Sequence, residues 1–286
     1  RMMSFSPESD IESIKVFQAD HVPQQVTLQV AGEEKVEPLK KAVQSLPSST
    51  VKLSPQKIAY NTIQTENKKI RNKKVQIHRL SIPRGETFKV VLSDGTEVLL
   101  NSDSRLSYPT VFKGKERVVS LEGEAYFNVT KNTEHPFIVK SGNVQVRVLG
   151  TEFNVRSYSP IDVRVTLITG KVAVSDTCGI HSVEMMPGQS AQLSSNGTFA
   201  VKEVDIESFL YWKEGFFYFD DVALVDMMKE IGRWYNIDIE FRNSKIMDLR
   251  MHFFANRHQD IFHLIELLNR MERIHAHFET GKLIIE

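Results

Sequence analysis

The stretch LSDGTEVLLNSDS, Leu92 to Ser104, gathers Asp94, Glu97, Asn101, Asp103 and four hydroxyl side chains into thirteen residues. Such an oxygen-rich cluster could hold a hard cation. A calcium loop of the EF-hand kind, however, needs oxygen ligands at alternating positions before its glycine, and with Gly95 in that role Val90 and Leu92 stand where ligands should be. Asp94-Gly95 lies between two alternating apolar runs and is a residue pair that tolerates the positive φ of a tight hairpin. The stretch is read as a turn.

The other chemistry-bearing residues are sparse. Glu122 and Glu124 flank Gly123, which implies a bend between two solvated carboxylates. His275 and His277 are two apart, on one strand face, and a third metal ligand would have to come from a neighbour that the spacing does not identify. His258 and His263 are close in sequence but likewise make no triad unaided. Cys178 sits in SDTCGI, a turn between strands, with no partnered histidine in view. No G-x-S-x-G elbow, P-loop or G-x-G-x-x-G motif occurs. These readings assign no catalytic, cofactor-binding or metal residue, and neither an enzyme nor a bound cofactor is expected.

Three regions must position these residues. From 1 to about 80 the signals are weakest: VTLQVAG (Val26 to Gly32) and VQIHRLSIP (Val75 to Pro83) read as strands, the latter with Val75, Ile77 and Arg79 on one side. From about Ser81 to Val204, glycines at 85, 95, 114, 123, 142, 150, 170, 179, 188 and 197 punctuate short period-two segments. Phe88, Val90 and Leu92, then Val144, Val146 and Val148, then Val163, Val165 and Leu167 each mark one buried face. With no helical periodicity in this region, a sandwich, barrel or coiled solenoid must close the core.

Beyond ESFLYWKEG the period changes. FFYF reads as a strand, Asp220 or Asp221 as a helix cap, and Leu224, Met228, Ile231 and Tyr235 as a helix face, followed by the strand IDIEF. A second round follows: strand MHFF, a helix with Ile261, Leu264, Ile265 and Leu268 on one face, and strand RIHAHF. Leu224, Met228, Ile231 and Ile237 map by a constant offset onto Ile261, Ile265, Leu268 and Ile274, the signature of a duplicated β-α-β unit. The tail GKLIIE adds a strand after a Thr280-Gly281 turn. The fold class expected is therefore mainly β with α+β: a β-rich sandwich or solenoid-like domain followed by a small duplicated β-α-β domain.

Composition narrows the function classes. The chain has 286 residues, a length that favours about two domains. Its 36 basic and 36 acidic residues cancel, leaving no field to steer it toward nucleic acid. The basic run NKKIRNKKVQIHR has no interleaved aromatics for stacking bases and reads as a solvated strand face. The single cysteine excludes an intrachain disulfide. No apolar run approaches a membrane span, and the start at Arg1, without a signal core, reads as a fragment whose membrane anchor lies elsewhere.

Several blocks, in order, resemble the FecR family of bacterial anti-sigma regulators. IPRGETFKVVLSDGTEVLLNSDSRLSYPTVF contributes Pro83, Gly85, Asp94, Gly95, Thr96 and Asn101; RVVSLEGEAYFNV contributes Gly123, Glu124, Ala125 and Phe127. HPFIV supplies Pro136 and Phe137, and VQVRVLGTEFNVRSY supplies Gly150, Thr151, Phe153, Asn154 and Val155. VTLITGKVAV adds Gly170 and PGQSAQL adds Pro187 and Gly188. These are motif positions with structural roles. The region from about Trp212 is similar to the C-terminal domain of Bacteroidota-type members, which resembles the short secretin/TonB N-terminal module.

The resemblance implies three parts: residues 1–80 as an arm leading from a missing membrane anchor, 81–205 as the FecR β-rich domain, and 213–286 as the secretin/TonB-like domain. It also implies the periplasmic region of a single-pass inner-membrane protein, with a sigma factor bound only through a cytoplasmic segment not included here. The partner expected for residues 213–286 is the N-terminal signalling domain of a TonB-dependent transporter. Nucleic acid is not an expected partner. The alternative is a periplasmic or surface carbohydrate-binding β-domain protein.

Overall fold

The computed structural model describes residues 13–20, 24–46, 51–61 and 75–286. Most of the basic run NKKIRNKKVQIHR lies outside the described residues. The chain divides into two compact units, residues 23–214 and a smaller one made of residues 1–22 with 215–286.

The smaller unit takes the first strand, β1 (Ile14–Phe17). The larger begins with β2 (Thr27–Val30), β3 (Val36–Pro38), helix α1 (Leu39–Gln44), β4 (Val51–Ser54), β5 (Lys57–Tyr60) and β6 (Ile77–Ile82). It continues with β7 (Phe88–Val91), β8 (Glu97–Leu100), β9 (Ser104–Pro109), β10 (Arg117–Asn128), β11 (Phe137–Ser141) and β12 (Val144–Val148). Then come β13 (Glu152–Ser159), β14 (Asp162–Thr169), β15 (Val172–Asp176), β16 (Ser182–Met185), β17 (Gln189–Leu193), β18 (Phe199–Glu203) and α2 (Ile206–Leu210).

Two ladders share β10. Its first half pairs with β9 and β11, in a ladder that runs from β3, β2 and β6 through to β12, β15 and β16. Its second half pairs with β8 and β13, in a ladder from β4, β5 and β7 through to β14, β17 and β18. The strands curl around one core, to which Phe88, Val90, Leu92, Val144, Val146, Val148, Val163, Val165 and Leu167 all contribute, as their alternation predicts. Strand β6 shows the pairing of faces expected for Ile77 and Arg79, but that face is the exposed one; His78, Leu80 and Ile82 point inward. No α-helix interrupts residues 81–204.

The switch between ladders falls at Gly123, where φ is +95° and a Cβ would lie 2.8 Å from Ser104 Cα. Only glycine takes both the conformation and the contact.

The smaller unit continues with β19 (Phe216–Ala223), α3 (Leu224–Tyr235), β20 (Asp238–Phe241), β21 (Arg250–Asn256), α4 (Ile261–Arg270), β22 (Ala276–Glu279) and β23 (Lys282–Ile285). The order strand, helix, strand therefore occurs twice. A four-stranded sheet, ordered β1-β20-β23-β22, and a two-stranded ribbon, β19-β21, surround a core that includes Leu224, Met228, Ile231, Ile265, Leu268 and Ile274.

Two details differ from expectation. The segment Asp220-Asp221 does not cap α3; it forms an irregularity in β19, with Asp221 at φ +53°, and the N-cap position is Ala223. The two carboxylates are instead engaged across the ribbon, Asp221 by Arg250 at 2.9 Å and Asp220 by His252 at 2.6 Å.

Residues 1–80, expected as one arm, are shared between the units. Strands β2 to β6 join the larger ladders, while β1 pairs antiparallel with β20. Phe17 lies so close to α3 that a Cβ on Gly232 would stand 2.7 Å from its ring, and Asn236 and Asp238 bind the backbone of Asp20 and Ala19. A strand of four residues carries too little signal to announce a partner more than two hundred residues away.

Candidate functional site

In the larger unit the motif residues converge on two buried polar clusters. Asp94 Oδ1 accepts from the Thr96 backbone N–H at 3.0 Å and Oδ2 from the Thr96 hydroxyl at 2.7 Å, so the hairpin predicted at Asp94-Gly95 is present, with Gly95 at φ +84°. The carboxylate also does something its turn role does not require. Arg117, whose side chain is 4% exposed, donates from Nη1 to Asp94 Oδ2 at 2.7 Å and to Thr130 O at 2.8 Å. Its Nε donates to His135 O at 2.8 Å, and its guanidinium lies 5.3 Å from the centre of the Phe137 ring. One buried cation thus fastens the DGT turn to the HPF segment; Pro136 O closes the join by accepting from Arg117 N at 2.8 Å.

Glu124 anchors the second cluster and corrects the expectation of two solvated carboxylates. Glu122 is exposed and meets Arg79 and Arg105 at 3.3 and 3.2 Å. Glu124, one side of the bend later, is 5% exposed. Asn101 and Asn154 donate side-chain N–H groups to it at 2.9 and 3.0 Å, and Arg156 at 3.2 Å. Burial of an anion is tolerated because donors from β13 and from the segment after β8 surround it.

The remaining motif positions are structural in the same sense. Ala125, Phe127, Phe137, Phe153 and Val155 are fully buried, with Phe127 and Phe153 stacked at 5.0 Å. Pro83 O and Gly85 N bind Asp103 N and the Ser102 hydroxyl. The Thr151 hydroxyl donates to Lys171 O at 3.0 Å, between Gly150 and the Gly170 turn. Pro187-Gly188 forms the turn before β17, with Gly188 bonded to Leu167 and Val204.

A buried aromatic-imidazole group had no sequence signal. His78 Nδ1 lies 2.6 Å from Tyr60 Oη, which lies 3.0 Å from Tyr108 Oη, and all three residues are at most 3% exposed. Burial lowers the His78 pKa to about 4 from its ordinary 6.5 and raises both tyrosines. The ring is neutral at neutral pH and serves packing. Cys178 is exposed, in the turn between β15 and β16.

The smaller unit exposes its chemistry. On the β19-β21 ribbon, Phe216 stacks on Phe254 at 5.0 Å and Tyr218 meets Phe254 at 6.3 Å, while Phe254 remains 53% exposed. Each ribbon strand pairs only with the other among the described residues, so both outer edges keep backbone groups outside any ladder. At the β22-β23 hairpin, His275 and His277 gain the neighbour that spacing did not identify, Glu286, and the three present ligand atoms within 4.8 Å of one another. His258 packs edge-on against Trp234 at 5.3 Å, and His263 faces Glu266 at 3.8 Å; the two are not brought together.

Motif residues are thus built into the interior of the larger unit, and the small α/β unit presents strand edges outside any ladder among the described residues. Residues 78–173 match the family described as FecR protein, and residues 216–285 match the one described as FecR, C-terminal. Two crystal structures of a proposed anti-sigma factor from Parabacteroides distasonis are similar, at 28% and 27% identity with TM-scores of 0.67 and 0.66. In each case 73% of this chain and 98% of the other are covered. No curated protein matches. The chain belongs to the FecR family of anti-sigma regulators. No described helix is long and apolar enough to cross a membrane.

Proposed function

We propose that the chain is the periplasmic sensor region of an inner-membrane anti-sigma regulator, relaying a signal from a TonB-dependent outer-membrane transporter to an extracytoplasmic-function sigma factor. Membership of the FecR family and the likeness to a proposed anti-sigma factor support the regulatory role. The sigma factor would be held through a cytoplasmic segment beyond these residues. The observation that carries the receptor-facing assignment is the aromatic ribbon of Phe216, Tyr218 and Phe254. It offers apolar anchors beside strand edges that join no further ladder among the described residues, the combination that strand addition uses.

The partner-binding region proposed is residues 213–286, whose sheet also includes β1 beside β20. The test is a pull-down of the full chain with signalling domains of TonB-dependent transporters, run beside a glycan array. Capture of a signalling domain that Phe254→Asp abolishes is the expected result. Glycan binding with no captured domain would favour a carbohydrate-binding role instead.

A further inference from the structure

The β22-β23 hairpin turns at Thr280-Gly281, and its antiparallel register, running through Ala276 and Ile285, sets His275 opposite Glu286. The backbone confirms the pairing: His275 N donates to Glu286 O at 2.7 Å and Glu286 N to His275 O at 2.9 Å. Because side chains alternate along a strand, His277 stands on the same face as both. The imidazole centres are 5.1 Å apart and inclined by 28°.

His277 Nδ1 is enclosed, yet it makes no hydrogen bond among the described residues. Glu286 Oε1 is 3.8 Å from it, beyond hydrogen-bond reach. Legs of roughly 2.0–2.2 Å around a tetrahedral cation place its ligand atoms roughly 3.4 Å apart. The gap between Nδ1 and Oε1 is thus close to the edge of a coordination tetrahedron. All three ligand atoms lie within 4.8 Å of one another, and the His275 and Glu286 side chains are exposed.

The surroundings prepare these atoms. Glu279 Oε2 lies 3.6 Å from His277 Nε2, so a carboxylate stands on the side of the ring away from Nδ1. Arg242 meets Glu279 and, at 3.8 Å, Glu286 Oε2, so one oxygen of Glu286 faces the arginine and the other faces His277. A carboxylate behind a ligating imidazole, and a cation steadying a ligating carboxylate, orient ligands in this way.

We propose that His275, His277 and Glu286 bind a divalent transition-metal ion of the zinc type, leaving a fourth position open to water or to a partner's side chain. Two imidazoles and one carboxylate suit zinc, cobalt, nickel or copper and do not suit magnesium or calcium.

The test uses the full, untagged chain. Zinc is titrated in competition with a chromophoric chelator, and cobalt is followed by its visible absorption. One equivalent is expected, with magnesium and calcium failing to compete. His275→Ala and His277→Ala should each weaken binding by more than about tenfold, since loss of even an outlying partner of a metal ligand costs about 10–100-fold. His181 and His263, which face Asp176 and Glu266 elsewhere, serve as controls, and their alanine variants should bind as the parent does. His275 is exposed, so its variant keeps the fold and carries the test if His277→Ala does not. No binding, or one equivalent retained by His275→Ala, overturns the site and leaves the sensor proposal untouched.

Discussion

The larger unit keeps its charged motif residues inside, each met by a partner, whereas the smaller unit sets aromatic and imidazole groups on open strand faces. Asp94 with Arg117, and Glu124 with Asn101, Asn154 and Arg156, join segments distant in sequence. Phe216, Tyr218 and Phe254 tie only two strands of a ribbon to each other. Motif residues can therefore mark what a domain needs in order to fold, while the proposed partner surface carries none of them. Variants in the two regions should separate stability from binding.

The largest expected effect lies at the Asp94-Arg117 pair. Asp94→Ala leaves a buried guanidinium without its counter-charge, which costs about 3–5 kcal/mol in comparable pairs. Chemical denaturation should show the midpoint falling with the slope unchanged. A loss below about 1 kcal/mol, the scale of an exposed pair, would mean that Asp94 acts only through its turn.

The next effect is acid sensitivity through His78. Its folded pKa, about 4, is below the ordinary 6.5, so as pH falls the unfolded chain takes up the proton first. The stability contribution is complete above about pH 6.5, declines between 6.5 and 4, and is gone below, a change of about 3 kcal/mol. His78→Gln should flatten the stability profile of the larger unit across that window. An equally steep profile in the variant would assign the acid sensitivity to other groups.

Gly123→Ala comes third. It places a Cβ against Ser104 in a positive-φ conformation, a strain of about 1–3 kcal/mol. Thermal denaturation should show a lowered midpoint. A variant as stable as the parent would show that β10 can leave the bend.

Much of this arrangement was legible from period and punctuation. Phe88, Val90 and Leu92 alternate, Asp94-Gly95 turns, and the helix faces of α3 and α4 repeat at one offset, because these signals are local. Arg117 and Glu124 were not legible as buried, since their partners come from other strands and nothing near them in sequence reports that neighbourhood. In β6 a histidine shares the buried phase with Leu80 and Ile82 while Ile77 stands in the exposed one, so alternation alone does not choose the face. The acidic pair Asp220-Asp221 has the chemistry of a helix cap, but Arg250 and His252 across the ribbon draw it into the strand. Glu286 could have been found: counting outward from the Thr280-Gly281 turn pairs position 275 with 286.

The smallest effect on stability should accompany the largest effect on binding. Phe254→Asp removes an exposed ribbon contact worth at most about 1 kcal/mol, on the scale of cross-strand pairs. Titration calorimetry of the full chain against the signalling domain of the proposed partner, a TonB-dependent transporter, tests the account most directly, with the parent, Phe254→Asp and Glu124→Gln compared below their unfolding temperatures. The account predicts that Glu124→Gln, though less stable, binds like the parent, and that Phe254→Asp loses at least about tenfold in affinity, as expected for an interface anchor. Parent-like binding by Phe254→Asp together with loss in folded Glu124→Gln would contradict it, placing the receptor surface on the larger unit.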